Sequence, residues 1–139
     1  MAKTYNLFLS HSWAYPDAYY GLKNLLDKDI TFNYSDYSIP KNDPIHTNGT
    51  DRELYNAIKN KISPCSAVLI MAGVYSSYSK WIDKEIKIAK NEFILPKKII
   101  AIEPWGSEKT SAVVKNNADK VVGWNSRPIM SAIKELCGE

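Results

Sequence analysis

Trp81 and Glu85 stand four residues apart in Ser79-Lys80-Trp81-Ile82-Asp83-Lys84-Glu85-Ile86. On a helix, side chains at i and i+4 are neighbours, so this spacing sets a carboxyl group against a large apolar ring. An acid in such a place can move a proton or stabilise positive charge as it develops. The plain alternatives are a surface pair between Glu85 and a nearby lysine, and simple core packing for Trp81. Further polar candidates follow other apolar runs. Ser10 and His11 close the run Tyr5 to Leu9, Asp36, Tyr37 and Lys41 fall in a polar stretch, and Trp105 follows Glu103-Pro104. Turn and cap hydrogen bonds, a solvated loop and a half-exposed aromatic are their respective plain explanations.

These residues need elements to position them, and strand-like and helix-like patterns alternate from end to end. Strands are predicted over Tyr5 to Leu9, Thr31 to Tyr34, Ser66 to Ala72, Lys98 to Ile102 and Lys120 to Val122. Helices are predicted over Asp17 to Asp27, Asp51 to Ile62, Tyr78 to Phe93, Ser107 to Lys115 and Ser126 to Leu136, the last with Ser126 as its N-cap. Ser35 to Thr50 reads as a loop holding Pro40, Pro44 and Gly49. Ser66 to Ala72 is nearly continuous in apolar residues, as expected of a parallel strand buried on both faces. Five β/α units of this kind predict an α/β fold with an open parallel sheet and helices on both sides. Ligands of such sheets bind beyond the carboxyl ends of the strands, where strand order reverses. Ser10-His11, the loop after Tyr34, Gly73-Val74 and Glu103-Pro104-Trp105 are those ends.

In the helix from Tyr78 to Phe93, Ile82, Ile86, Ala89 and Phe93 fall on one stripe that should face the sheet. Trp81, Glu85 and Ile88 lie roughly 70 to 130° away by helical count. Glu85 is thus expected at the margin of the core, with Asp83, Lys84, Lys87, Lys90 and Asn91 toward solvent.

Several chemistries are excluded. Ser10-His11-Ser12-Trp13 has none of the glycines a phosphate-cradling loop needs, which removes Rossmann and P-loop readings and disfavours a flavodoxin proper. The third strand ends Met71-Ala72-Gly73, with no aspartate to accept a phosphoryl group. Pro16-Asp17 and Glu85-Ile86-Lys87 resemble a nuclease pattern, but that pattern sets its acids on adjacent strands, and Glu85 is on a helix. His11 and His46 are far apart and make no metal site, so the metal expectation is none.

Composition agrees with one domain over residues 1–139. Apolar residues make up 45% and charged residues 24%, enough for one core. The net charge of +3 arises from 18 basic and 15 acidic side chains that are interspersed, unlike the basic stripe of a nucleic-acid reader. Cys65 and Cys137 are in no metal-like spacing and read as reduced thiols. The apolar run Ala67 to Val74 is far short of the roughly 20 residues that span a membrane, and the first residues lack a signal-peptide core. The expected location is the cytoplasm, with neither membrane nor nucleic acid as a partner.

Two segments resemble a known family. Tyr5-Asn6-Leu7-Phe8-Leu9-Ser10-His11-Ser12 resembles the opening box of Toll/interleukin-1-receptor (TIR) domains, and Ser79 to Ile86 resembles the Ser-x-Trp-x-x-x-Glu box of NAD-consuming TIR domains. Lys98 to Ile102 looks like the strand that follows. The likeness covers nearly the whole chain and is nearest to short bacterial TIR-like proteins, including the cyclase subunit of Thoeris anti-phage systems. It departs from the family at Ile82, where many members carry cysteine, and at Asp36 to Asp43, which replaces the usual Arg-Asp…Pro-Gly loop.

The resemblance implies a flavodoxin-like sheet in the order 2-1-3-4-5, with Glu85 as the catalytic glutamate. The implied reaction breaks the nicotinamide–ribose bond of NAD, which is substrate and not cofactor. Nicotinamide leaves neutral, so one carboxylate suffices where ordinary glycoside hydrolysis uses two. Ser10, His11, Trp81, Asp36, Tyr37 and Trp105 are then candidates for contacting substrate. Water would give ADP-ribose, and an internal nucleophile a cyclic isomer. The implied partners are further copies of the chain, a separate nucleotide-sensing effector and a phage trigger. A non-catalytic adaptor is the alternative. A nuclease is a weaker one, requiring Asp36, Glu85 and Glu103 to converge on a metal.

Overall fold

Alternate residues of the central strands point to opposite sides and both sides are dry, which explains their continuous apolar runs. The computed structural model describes residues 4–10, 16–28, 32–37, 50–71, 80–103 and 112–137. Five strands, β1 (Thr4–Ser10), β2 (Asn33–Asp36), β3 (Ala67–Met71), β4 (Lys98–Ile102) and β5 (Lys120–Val122), form one sheet. Every pairing is parallel and the order is β2-β1-β3-β4-β5, as expected. Five helices alternate with them: α1 (Pro16–Asp27), α2 (Asp51–Ile62), α3 (Lys80–Asn91), α4 (Ala112–Asn117) and α5 (Ser126–Cys137).

The core has two halves. Leu7, Leu9, Leu69, Ile100 and Ile102 face α1 and α5, meeting Leu22, Leu26, Ile129 and Ile133. Phe8, Val68, Ile70, Ile99 and Ala101 face α2, α3 and α4, meeting Ile58, Ile62, Ile88, Ala89 and Val114. At about 25 cal/mol per Å² of apolar surface removed from water, these two layers supply the main driving force for folding.

Several expected boundaries move, most by a residue or two. β2 begins two residues later than expected, because pairing fixes it: Thr4 aligns with Asn33 and Leu7 with Asp36. Phe32, the best strand-former of the segment, is instead buried in the α1/α5 half of the core. Asp36, expected in the loop, is the last residue of the strand, and the Tyr37 amide donates to the Leu7 carbonyl at 2.9 Å. α4 runs over Ala112–Asn117 instead of ending at Lys115, and 107–111 lie outside the described residues. Ser126 is the first residue of α5, not its cap. Asn125 precedes it, turned by its amide donating to the Gly123 carbonyl at 2.9 Å, and the Asn125 carbonyl accepts from Ile129 N–H. Asn caps as well as Ser. The Ser126 Oγ makes no hydrogen bond among the described residues.

α2 starts where expected. Thr50 accepts from the Glu53 amide at 3.1 Å, and Glu53 accepts from the Thr50 amide at 3.3 Å, a reciprocal capping box. Thr50→Ala removes one side of it. Urea denaturation should show a loss of about 1 kcal/mol, and no loss would mean the box contributes nothing.

Cys65 is 2% exposed, and its Sγ–H donates to the Lys61 carbonyl at 3.2 Å. Burial pushes the thiol up to about 12 from 9.0. A raised value favours the folded state below pH 9, and that contribution is lost as pH rises toward 12. Iodoacetamide at pH 8 should therefore label Cys137, which is half-buried, and spare Cys65 until denaturant is added. Equal labelling of both in the native protein would refute this burial.

Candidate functional site around Glu85

α3 follows β3, so its first turn lies at the carboxyl end of the sheet. Strand order reverses between β1 and β3, where Ser10 aligns with Ile70, and Met71 aligns in turn with Ile102 of β4. Reversal of this kind opens a crevice, because the chain leaves the two strands in opposite directions.

Glu85 belongs to the second turn of α3. It is 1% exposed and is the only polar or charged side chain in the buried class among the described residues. The expected position at the core margin is corrected. Glu85, Ile86, Ile88 and Ala89 are all buried, and at about 100° per residue Glu85 lies roughly 20° from the centre of that arc. The helix is turned so that Ile88 and Glu85 face inward, and Phe93 is only half-buried. Lys84 and Lys90 are half-buried and Lys87 and Asn91 exposed, broadly as expected.

A glutamate is almost never fully buried unless something holds it there, since withdrawing a carboxylate from water costs several kcal/mol. Buried carboxyl groups beside a crevice are common at functional sites, although structural networks also produce them.

The other candidates are placed as follows. Ser10 ends β1, and Trp81 lies in the first turn of α3, one helical turn before Glu85. Tyr37 is partly buried against the half-core that contains Ile86 and Ala89, so it shares the α3 side of the sheet. Asp36 does not: it faces α1, paired with Lys23 at 3.4 Å. It also aligns with Leu7, three residues short of the end of β1. Glu85 and Asp36 are therefore on opposite sides of the sheet. His11, Lys41, Ser79 and Trp105 lie outside the described residues.

Among the described residues, no group of three or more His, Cys, Asp or Glu is arranged to hold a metal. Asp36, Glu85 and Glu103 are all described, and they form no such group.

Two other features are remote from the crevice. Tyr55 and Glu92 share a hydrogen bond that holds the Glu92 carboxyl below its usual range and raises the Tyr55 hydroxyl above its own. Lys59 adds an ion pair to Glu92 at 3.3 Å. This trio clips the end of α2 to the end of α3 at the opposite end of the sheet, which reads as a surface brace. A cleft of about 500 Å³ opens between α1 and β2, lined by Lys23, Asp27, Phe32, Tyr34 and Asp36. Sequence reasoning does not single out Lys23, Asp27 or Tyr34; the i, i+4 spacing of Lys23 and Asp27 is their only signal.

No helix among the described residues is long and apolar enough to cross a membrane. Comparison with curated protein sequences finds no significant match. Among solved structures, a Clostridium botulinum CMP N-glycosidase, BcmB, is similar at 13% identity over 94% of this chain and 98% of that one. Its TM-score is 0.47, and no chemistry is carried over from it. The sequence profile described as "Thoeris protein ThsB, TIR-like domain" matches residues 8–109, nearly three-quarters of the chain, from the end of β1 through α3 and β4. The chain belongs to the TIR-like domain family of the Thoeris protein ThsB.

Proposed function

We propose that this chain cleaves NAD, releasing nicotinamide and making an ADP-ribose-derived signalling nucleotide, cyclic in form, in bacterial anti-phage defence. The observation that carries the reading is the Glu85 carboxyl, buried at 1% exposure on the helix that begins at the carboxyl end of β3. Family membership over residues 8–109 supports it.

In this mechanism the nicotinamide–ribose bond breaks heterolytically and the electron pair leaves with the ring nitrogen, so the departing nicotinamide is neutral. Positive charge is left on the ribose. The Glu85 carboxylate hydrogen-bonds the ribose hydroxyls and stabilises that charge. A carboxylate already stripped of water does this without solvent reorganisation, and such groups contribute about 3 to 4 kcal/mol each in comparable sites. Ser10 and His11 bind substrate from the end of β1, Trp81 forms an apolar wall, Tyr37 closes the α3 side, and Trp105 stacks on substrate. Asp36 acts through the loop that follows it, since its side chain faces α1. Exclusion of water then directs the ribosyl cation to an internal nucleophile. The nucleotide acts on a separate sensing effector, and a phage component is the trigger. Self-assembly completes the site.

Chromatography of NAD incubations should show a fall of at least about 100-fold in nicotinamide release for Glu85→Gln relative to wild type. Equal turnover by both proteins would overturn the assignment. The same substitution keeps the shape of the side chain, so the thermal midpoint should stay within about 5 °C of wild type. A fall of more than about 5 °C would show that Glu85 is structural. Turnover per chain should also rise with protein concentration. A dilute sample, monomeric by sedimentation, with full specific activity would refute the need for assembly.

A further inference from the structure

The connection between α3 and β4 ends in an apolar tip. Ile94 is 101% exposed and Leu95 80%, values reached only by side chains that project beyond their neighbours. The tip is nonetheless held firmly at its base. The Glu92 amide donates to the Ile88 carbonyl at 3.1 Å and the Lys97 amide to the Ala89 carbonyl at 2.9 Å. Lys97 Nζ donates to the Ser63 carbonyl at 2.8 Å and lies 4.8 Å from the Phe93 ring centroid. Exposed Lys98 adds a second positive charge. Two adjacent aliphatic side chains held in water on a fixed turn are what a binding knob looks like.

The same chain carries a concavity of opposite character. The cleft between α1 and β2 has an aromatic floor: Tyr5 stacks on Phe32 with centroids 5.4 Å apart, and Phe32 lies 6.0 Å from Tyr34. Two carboxylates rim it, Asp27, which accepts from the Tyr34 hydroxyl at 2.8 Å, and Asp36. Lys23 offsets one of these charges. Its volume of about 500 Å³ is ample for two aliphatic side chains. A molecule cannot fill its own cleft, because β4 and β2 are three strand spacings apart, about 14 Å, and the two features lie on opposite faces of the sheet.

We propose that the Ile94–Leu95 tip of one copy docks in the α1/β2 cleft of the next, with exposed Lys98 set against exposed Asp27. The contact joins two different surfaces, so every docked copy offers a further tip and a further cleft. Such a contact closes into a ring or runs on as a filament. It specifies the self-assembly proposed above and rests on none of the NAD chemistry.

Sedimentation of the full chain over a range of concentrations tests it. Wild type should associate, and Leu95→Asp and Asp27→Lys, both at exposed positions, should each weaken association at least tenfold while far-UV circular dichroism stays native. Mixed in equal amounts, the two variants should form a 1:1 dimer and nothing larger, because only one intact tip meets one intact cleft. The charge swap Lys98→Glu with Asp27→Lys should recover part of the association lost in Asp27→Lys alone. Unchanged association in both single variants, or no dimer on mixing, would overturn this contact and leave self-assembly standing. A wild type that stays monomeric throughout would overturn both, while the NAD assay would still judge the chemistry separately. Binding of the tip to anionic phospholipid vesicles without self-association would reassign it to a membrane surface.

Discussion

Everything in this fold follows from the need to cover β1, β3 and β4 on both faces. Three adjacent parallel strands with no solvated side cannot be joined by hairpins. Each connection must cross over, and each crossover must carry a helix whose apolar side closes one half of the core. With α1 and α5 on one side and α2, α3 and α4 on the other, the chain must leave β1 and β3 in opposite directions. The crevice at their carboxyl ends is therefore a consequence of two-sided burial.

Within that frame Glu85 is the local exception. α3 has Ile86, Ile88 and Ala89 to seal its half of the core, and an apolar residue at position 85 would complete the same surface. Natural proteins break such rules mainly at functional sites and accept the loss of stability there. The brace of Tyr55, Lys59 and Glu92 belongs to the opposite class: titratable groups in mutual contact at the surface, where perturbation reflects pairing first and burial second.

Much of this was legible in the sequence. β4, β5 and α2 have the expected ends, because continuous apolar runs and a Thr50/Glu53 box are local signals. The order of the strands followed from the resemblance and not from periodicity. β2 was misplaced because an edge strand of four residues is fixed by its partner: Thr31-Phe32 has the propensity, but Thr4 to Leu7 sets the register. The rotation of α3 was misjudged for a related reason. Ile82, Ile86, Ala89 and Phe93 form the most hydrophobic stripe, yet α2 and the sheet together cover a broader arc that also takes in Glu85 and Ile88. Helical periodicity locates an apolar face but cannot see what the neighbouring helix covers. The separation of Asp36 from Tyr37, adjacent in sequence and divided by the sheet, follows from strand alternation, which applies only once β2 is known to include Asp36.

α3 also has a mechanical character. Its twelve residues make a rod about 18 Å long, with Glu85 near its middle and the Ile94–Leu95 tip beyond its last turn. The hydrogen bond from Lys97 back to Ala89 and the clip to α2 leave no soft joint between the tip and the last turn. Force on the tip is thus transmitted along the axis as the displacement of a strut, and is not absorbed by bending. The carboxyl group and the surface knob belong to one rigid part, so whatever grips the knob also sets the tolerance with which that carboxyl group meets its crevice.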